Sequence, residues 1–329
     1  MFGESNTWAL VLAAGDGTRL RSLTTAASGM TVPKQFCSLY EGPSLLHEAL
    51  CRAHAVTAED RTCVVVAEQH RRWWEGALWT LPPENIIVQG KNRGTGLGIL
   101  LPLLHILSRS PEAQLVLLPS DHHVRQEALL TSAIHDALEQ LEWRFHETVL
   151  LGVRPEGLDP DLGYIVPGPN DGRGALTVER FVEKPSLVRT NELIRAGGLW
   201  NTFVVVSTGR TLLELYRKRF PEIVDVMRSA YESDRRAGSE GAVMAELYAR
   251  LPVVDFSRDI LAEQLSDLRV LPVPPCGWSD LGTPRRVSDA LRRTPRPVVT
   301  PSMRSSMGYL SLADQHERAR TAHGAGGAT

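Results

Sequence analysis

Wholly apolar short runs alternate with amphipathic stretches through the first half of the chain. Residues 8–14 (WALVLAA) read as a buried strand that ends at Gly15-Asp16-Gly17. Residues 62–67 (TCVVVA), 85–88, 114–118 (QLVLL) and 148–153 read as four more, with Pro119 expected to break the fourth. Residues 45–56, 94–107 and 127–141 carry apolar positions at helical spacing, with a kink expected at Pro102. Buried strands separated by helices predict βαβ units around a mostly parallel sheet.

Past about Gly157 the texture changes. Glycine, proline and acidic residues crowd residues 155–174, and extended segments at 175–183 and 203–207 then alternate with helical patterns at 212–219, 221–233 and 241–249. The expected fold is α/β, a Rossmann-like open, mostly parallel mixed sheet flanked by helices, with a smaller α+β subdomain. Residues 1–153 would form one part of the domain and 154–294 the other. Residues 295–329, rich in Pro, Ser, Arg, Ala and Gly, are expected to be a mobile tail.

Charge narrows the partners. Lys and Arg total 36 against 38 Asp and Glu, a net charge of −2. Such a balance offers no general field for nucleic acid or an anionic membrane, so small molecules are the expected partners. No signal-like leader or membrane-length apolar run is apparent, which predicts a cytoplasmic protein. Cys37, Cys51, Cys63 and Cys276 have no metal-ligand spacing and are expected to be buried or half-buried thiols. Association into a homo-oligomer is left open.

Chemistry concentrates at strand ends. Leu12-Ala13-Ala14-Gly15-Asp16-Gly17-Thr18-Arg19-Leu20 follows the first strand directly. Its alternate glycines let backbone N–H groups approach phosphate oxygens, and Arg19 adds a planar, permanent charge. Leu20 stands where a dinucleotide fingerprint needs glycine, and no Gly-Lys-Ser/Thr of a P-loop follows. Lys34, introduced by Pro33, is a candidate second cation. Gln89-Gly90-Lys91-Asn92-Arg93-Gly94-Thr95-Gly96 links a strand to a helix and is suited to read a nucleobase edge, with Thr95 doubling as a cap. Ser120-Asp121-His122-His123 ends the most apolar strand, where a carboxylate is placed to hold Mg²⁺. The two histidines lack a third zinc ligand at metal spacing.

The ordered set LAAGDGTRL, PKQF, NRGTG, PSDH, GYI, FVEKP, WNTF and WSDLG, spanning about residues 8–285, resembles the sugar-1-phosphate nucleotidylyltransferase superfamily. PKQF, NRGTG and PSDH together are most similar to the mannose-1-phosphate guanylyltransferases. The resemblance implies transfer of a nucleotidyl group from an NTP, GTP in the guanylyltransferases, to a sugar 1-phosphate, with Mg²⁺ as cofactor. Leu12, Ala13, Ala14, Gly15, Gly17 and Thr18, with Ser120, would hold the nucleotide, and Gln89, Gly94 and Thr95 its base. Arg19, Lys34 and Lys184 would be the catalytic cations, and Asp121 and Asp280 the metal ligands. Gly163, Glu183 and Asn201 would hold the sugar. Phe203 departs from the pattern, which often has glycine there, and the residues after Arg293 are too few for the additional C-terminal domain many such enzymes carry. Uridylyl or thymidylyl transfer to another hexose 1-phosphate, and a silent nucleotide-sugar-binding module, stay open as alternatives.

Overall fold

Apolar side chains alternate faces along the first strand: Ala9, Val11 and Ala13 enter one core, while Trp8 and Leu10 enter another. A strand with both faces buried must sit inside a layered α/β structure. The computed structural model describes residues 6–40, 42–170, 172, 174–238, 241–295 and 309–325, with the backbone alone for 320–325. Its strands are β1 (Thr7–Ala13), β2 (Thr62–Ala67), β3 (Ile86–Gln89), β4 (Gln114–Pro119), β5 (His123–Val124), β6 (Thr148–Val153), β7 (Tyr164–Asn170), β8 (Leu176–Val182), β9 (Leu199–Thr208), β10 (Leu268–Val273) and β11 (Trp278–Ser279). The helices are α1 (Arg21–Thr24), α2 (Leu45–His54), α3 (Arg71–Ala77), α4 (Gly94–Arg109), α5 (Glu127–Gln140), α6 (Leu187–Arg195), α7 (Gly209–Arg219), α8 (Pro221–Ala237), α9 (Ala242–Arg250), α10 (Pro284–Arg293) and α11 (Leu312–Ala325).

Nine strands form one sheet in the order β3-β2-β1-β4-β9-β6-β10-β8-β7. The β3-β2-β1-β4 half is parallel, as expected for βαβ units. β9 then lies antiparallel between β4 and β6, so a strand from the second half of the chain closes the gap at the middle of the sheet. Helices cover both faces, with α2 and α5 on the side of Val11 and Val116, and α4, α7 and α8 on the side of Leu10 and Leu115.

Several local expectations change, among them the cap read at Thr95, which lies inside α4, with Arg93 at the cap position and the Thr95 hydroxyl accepting from Phe256 N. Pro119 does not break β4 but ends it: Leu12 pairs with Pro119, at the last rung before the Ser120 turn, where a missing N–H costs nothing to the ladder. The tail is in part structured. Residues 296–308 and 326–329 lie outside the described residues, but the segment from Tyr309 returns to the first half. There Ser38 N donates to Leu310 O, Leu312 N to Ser38 O and Ala313 N to Leu39 O, and Leu312 is fully buried. Cys51 is exposed, while Cys37, Cys63 and Cys276 are buried.

Candidate active site

The C-terminal ends of β1 and β4 open on a cavity of about 420 Å³. This is where an open α/β sheet collects ligands, and the size suits a small organic molecule. Among the residues singled out from the sequence, Leu12, Ala14, Gly15, Arg19, Gln89, Gly94, Thr95, Ser120, Asp121, Gly163, Glu183, Lys184, Asn201 and Asp280 line it. Ala13, Gly17, Thr18 and Lys34 do not. Ala13 is buried in the core, and Thr18 is exposed at the start of a 3₁₀ turn, Thr18–Leu20. Gly17 has φ +60°, and a Cβ on it would lie 3.1 Å from Lys34 Cβ, so glycine there lets the two loops meet.

The remote aspartates meet through a small ribbon. β5 and β11 pair antiparallel, with Ser279 opposite His123. Asp121 lies two residues before that pair and Asp280 one residue after it on the other strand, so continuing the register sets Asp280 level with His122, the residue next to Asp121. Lys34 ties them together. Its buried ammonium is 2.7 Å from Asp121 Oδ2 and donates to the Asp280 carbonyl at 2.5 Å. Burial pushes the Asp121 carboxyl up, but the Lys34 ammonium and His122 outweigh it and hold the group below its ordinary value. Burial lowers His122 to about 4, so its imidazole is neutral at pH 7.

Asp280 is held from its other side. Its Oδ1 accepts from Gly282 N at 3.0 Å and lies 2.9 Å from Arg286 Nε, and Arg286 also reaches Asp159 Oδ2 at 3.0 Å. Gly282 has no room for a side chain: a Cβ would lie 2.5 Å from Asp280 Oδ2 and 3.2 Å from Arg19 Nη2. Arg19 therefore stands beside the Asp280 carboxylate. The next residue, Leu281, has φ +47°, as Lys184 has φ +44°. Backbone strain of this kind clusters where surrounding contacts fix a functional geometry.

Two carboxylates facing one cavity, with phosphates to complete the shell, suit Mg²⁺, which takes few protein ligands and keeps other oxygens. Among the described residues no group of three or more His, Cys, Asp or Glu could hold a metal ion, so a site closed by protein ligands alone, as a structural zinc site is, does not fit. His123 turns away, toward Glu48 and the Thr294 hydroxyl.

On the opposite wall, Asn201 N donates to Gly163 O at 2.9 Å, and a Cβ on Gly163 would lie 2.5 Å from Glu183 Oε1. Glycine there lets the Glu183 carboxylate lie against the main chain. Burial, then the nearby Asp255 carboxylate, raises the Glu183 carboxyl above its usual range. Lys184 is exposed to the cavity. On the first wall, Gln89 is buried and donates to the Tyr248 hydroxyl at 2.8 Å, while Ser120 donates its hydroxyl to Leu12 O. Gly94, at φ +82°, packs so closely on Val254 O that a Cβ would come within 2.3 Å of it.

Several contributors were not singled out from the sequence. The buried Gln35 amide donates to both Ala13 O and Gly15 O at 2.9 Å, pinning the glycine-rich loop. Its only signal was its place beside Lys34. Arg286, Asp255 and Tyr248 act across long sequence separations and left no local pattern.

The sequence matches the profile of the nucleotidyl transferase family over residues 8–296. The chain belongs to the nucleotidyl transferase family. This nucleotidyl transferase is 31% identical over 277 residues to the xanthan biosynthesis protein XanB of Xanthomonas campestris pv. campestris (strain B100), covering 83% of this chain and 57% of that one. It is 24% identical over 284 residues to a mannose-1-phosphate guanylyltransferase of Sinorhizobium fredii, covering 83% of this chain and 52% of that one. It thus spans a little over half the length of these curated relatives. A solved structure from Thermus thermophilus, described as a mannose-1-phosphate geranyltransferase, superposes with a TM-score of 0.74 at 29% identity, covering 89% of this chain and 81% of that one. No helix of the nucleotidyl transferase, among the described residues, is long and apolar enough to cross a membrane.

Proposed function

We propose that this nucleotidyl transferase joins a sugar 1-phosphate to a nucleoside triphosphate, releasing pyrophosphate, and that its substrates are mannose 1-phosphate and GTP. The observation that carries the reading is the convergence of Asp121, Asp280, Arg19 and Lys184 on one cavity, with Lys34 beneath it. The names of the Sinorhizobium and Thermus relatives favour mannose 1-phosphate.

The sugar-phosphate oxygen attacks the α-phosphorus in line. The new O–P bond forms as the α–β bridging P–O bond breaks, and the electron pair leaves on pyrophosphate. A phosphate monoester has a second pKa of about 6, so the nucleophile is already largely dianionic at neutral pH and needs no general base. The difficulty is bringing two polyanions together. Arg19 holds the triphosphate and Lys184 the sugar phosphate, while Glu183 and Asn201 orient the hexose hydroxyls. Lys34 sets the spacing of the two aspartates. Mg²⁺, held by Asp121 and Asp280, would neutralise charge on the phosphate oxygens. Gln89, Gly94 and Thr95 face the base.

The test is pyrophosphate release by the purified protein with GTP, UTP, dTTP, CTP and ATP, each with several sugar 1-phosphates. GTP with mannose 1-phosphate is expected to give the highest kcat/KM. Preference for UTP or dTTP would reassign the base, and no release with any pair would overturn the reading.

A further inference from the structure

We propose that Phe203 determines sugar specificity: its ring sets the size of the substituent that a hexose 1-phosphate can carry at the inner end of the cleft. The inference rests on the sugar-phosphate reading of that cleft and adds a residue to it.

Three features single Phe203 out. The first is its backbone. Its φ of +60° lies in the left-handed region, where a bulky residue is strained and glycine is free. The second is an interruption of the sheet. Along β9, Asn201 pairs with Gly152 but Val205 pairs with Leu150, so β9 carries two more residues than β6 over this stretch. Bulges of this kind re-aim side chains beside active sites. The third is where the side chain goes. The ring packs on Phe256, with centroids 6.0 Å apart, and Phe203, half-buried, is one of the residues lining the cavity with Glu183, Asn201 and Asp255.

The same turn orients the sugar wall. Phe203 N donates to Asn201 Oδ1 at 3.0 Å, which directs Asn201 Nδ2 toward Glu183 Oε1 at 3.5 Å. Glycine would keep that backbone bond and remove the strain. What the phenyl ring adds is bulk, placed two residues beyond Asn201, which faces the hexose. A rigid aromatic wall beside hydrogen-bonding groups admits a hydroxyl and rejects a larger substituent on the same carbon.

The experiment compares kcat/KM for an unsubstituted hexose 1-phosphate and for its 2-acetamido-2-deoxy counterpart, in wild type and in Phe203→Gly. The variant is expected to shift the ratio toward the acetamido sugar by about tenfold or more, in the range a change in pocket size supplies, with the KM for the triphosphate within about twofold of wild type. Phe203→Asn, smaller and tolerant of the left-handed backbone, is read in the same way if the glycine variant does not fold. An unchanged ratio in an active variant overturns the inference alone. No pyrophosphate release by wild type with either sugar sinks the parent reading, and this inference with it.

Discussion

Lys34 shows how much one side chain can organise. It is almost fully buried, yet its ammonium finds a carboxylate and a carbonyl from segments far apart in the chain. A buried cation without such partners would be strongly disfavoured. In the proposed mechanism, the two aspartates it joins and Lys184 opposite make the charge contacts to the reacting phosphates. Asp280→Asn or Lys184→Ala is expected to lower kcat by about 10²-fold or more, the usual loss of one transition-state charge contact. Near-normal turnover in either folded variant would remove that residue from the mechanism. A second residue-scale expectation lies away from the cleft. Burial, with Arg109 beside it, lowers the His105 imidazole from 6.5 to about 4. The folded chain keeps it neutral where the unfolded chain binds a proton, so stability present above pH 6.5 drains as pH falls toward 4. The slope from this group is at most about 1.4 kcal/mol per pH unit. Thermal unfolding from pH 7 to 4.5 should therefore show a shallower decline in His105→Gln than in wild type, and parallel declines would contradict the assignment.

At the scale of elements, the site hangs on loops that are pinned rather than free. Gln35 holds the glycine-rich loop through two carbonyls, each bond worth about 1 kcal/mol. Gln35→Ala is expected to raise the KM for the triphosphate about tenfold while lowering stability by about 2 kcal/mol. A nucleotide KM equal to wild type would show that the loop holds its shape without it. The elements differ in how plainly the sequence announces them. β2 and β6 are unbroken apolar runs, and their bounds, Thr62–Ala67 and Thr148–Val153, agree with the reading from hydrophobicity alone. β7 (YIVPGPN) and β10 (LRVLPV) escaped it because prolines interrupt their patterns. Both lie toward one end of the sheet, where missing ladder donors are tolerated best. The turn Phe256–Leu261 was missed because it is short, and α6 (LVRTNELIR) because most of its positions are polar. The cavity wall was more legible than these elements, because Asp121, Lys184 and Asp280 sit in short motifs. Gln35, Arg286 and Phe203 were harder: their importance lies in which distant carbonyl, carboxylate or ring they meet.

At the scale of the whole molecule, the two halves of the chain share one sheet and one cleft. β9 joins them at the centre of the sheet, and β5 and β11 join them again in a separate two-stranded ribbon. The C-terminal segment adds a third tie. It pairs with Ser38 and Leu39, just past Lys34, and buries Leu312. A chain ending at residue 308 is expected to lose about 3 kcal/mol of stability, from that burial and the lost backbone bonds, and to bind nucleotide more weakly. An unchanged unfolding midpoint would show that the strap contributes nothing.

In the proposed mechanism Asp121 and Asp280, contributed by opposite halves of the chain, act on the same phosphate. A crystal of the protein grown with Mn²⁺ in place of Mg²⁺, a nucleoside triphosphate and a non-reactive sugar 1-phosphate analogue tests it most directly. Anomalous scattering from manganese is expected within bonding distance of both carboxylates, with Lys184 on the sugar phosphate. Manganese bound away from one of the two aspartates, or a sugar phosphate remote from Lys184, would contradict it.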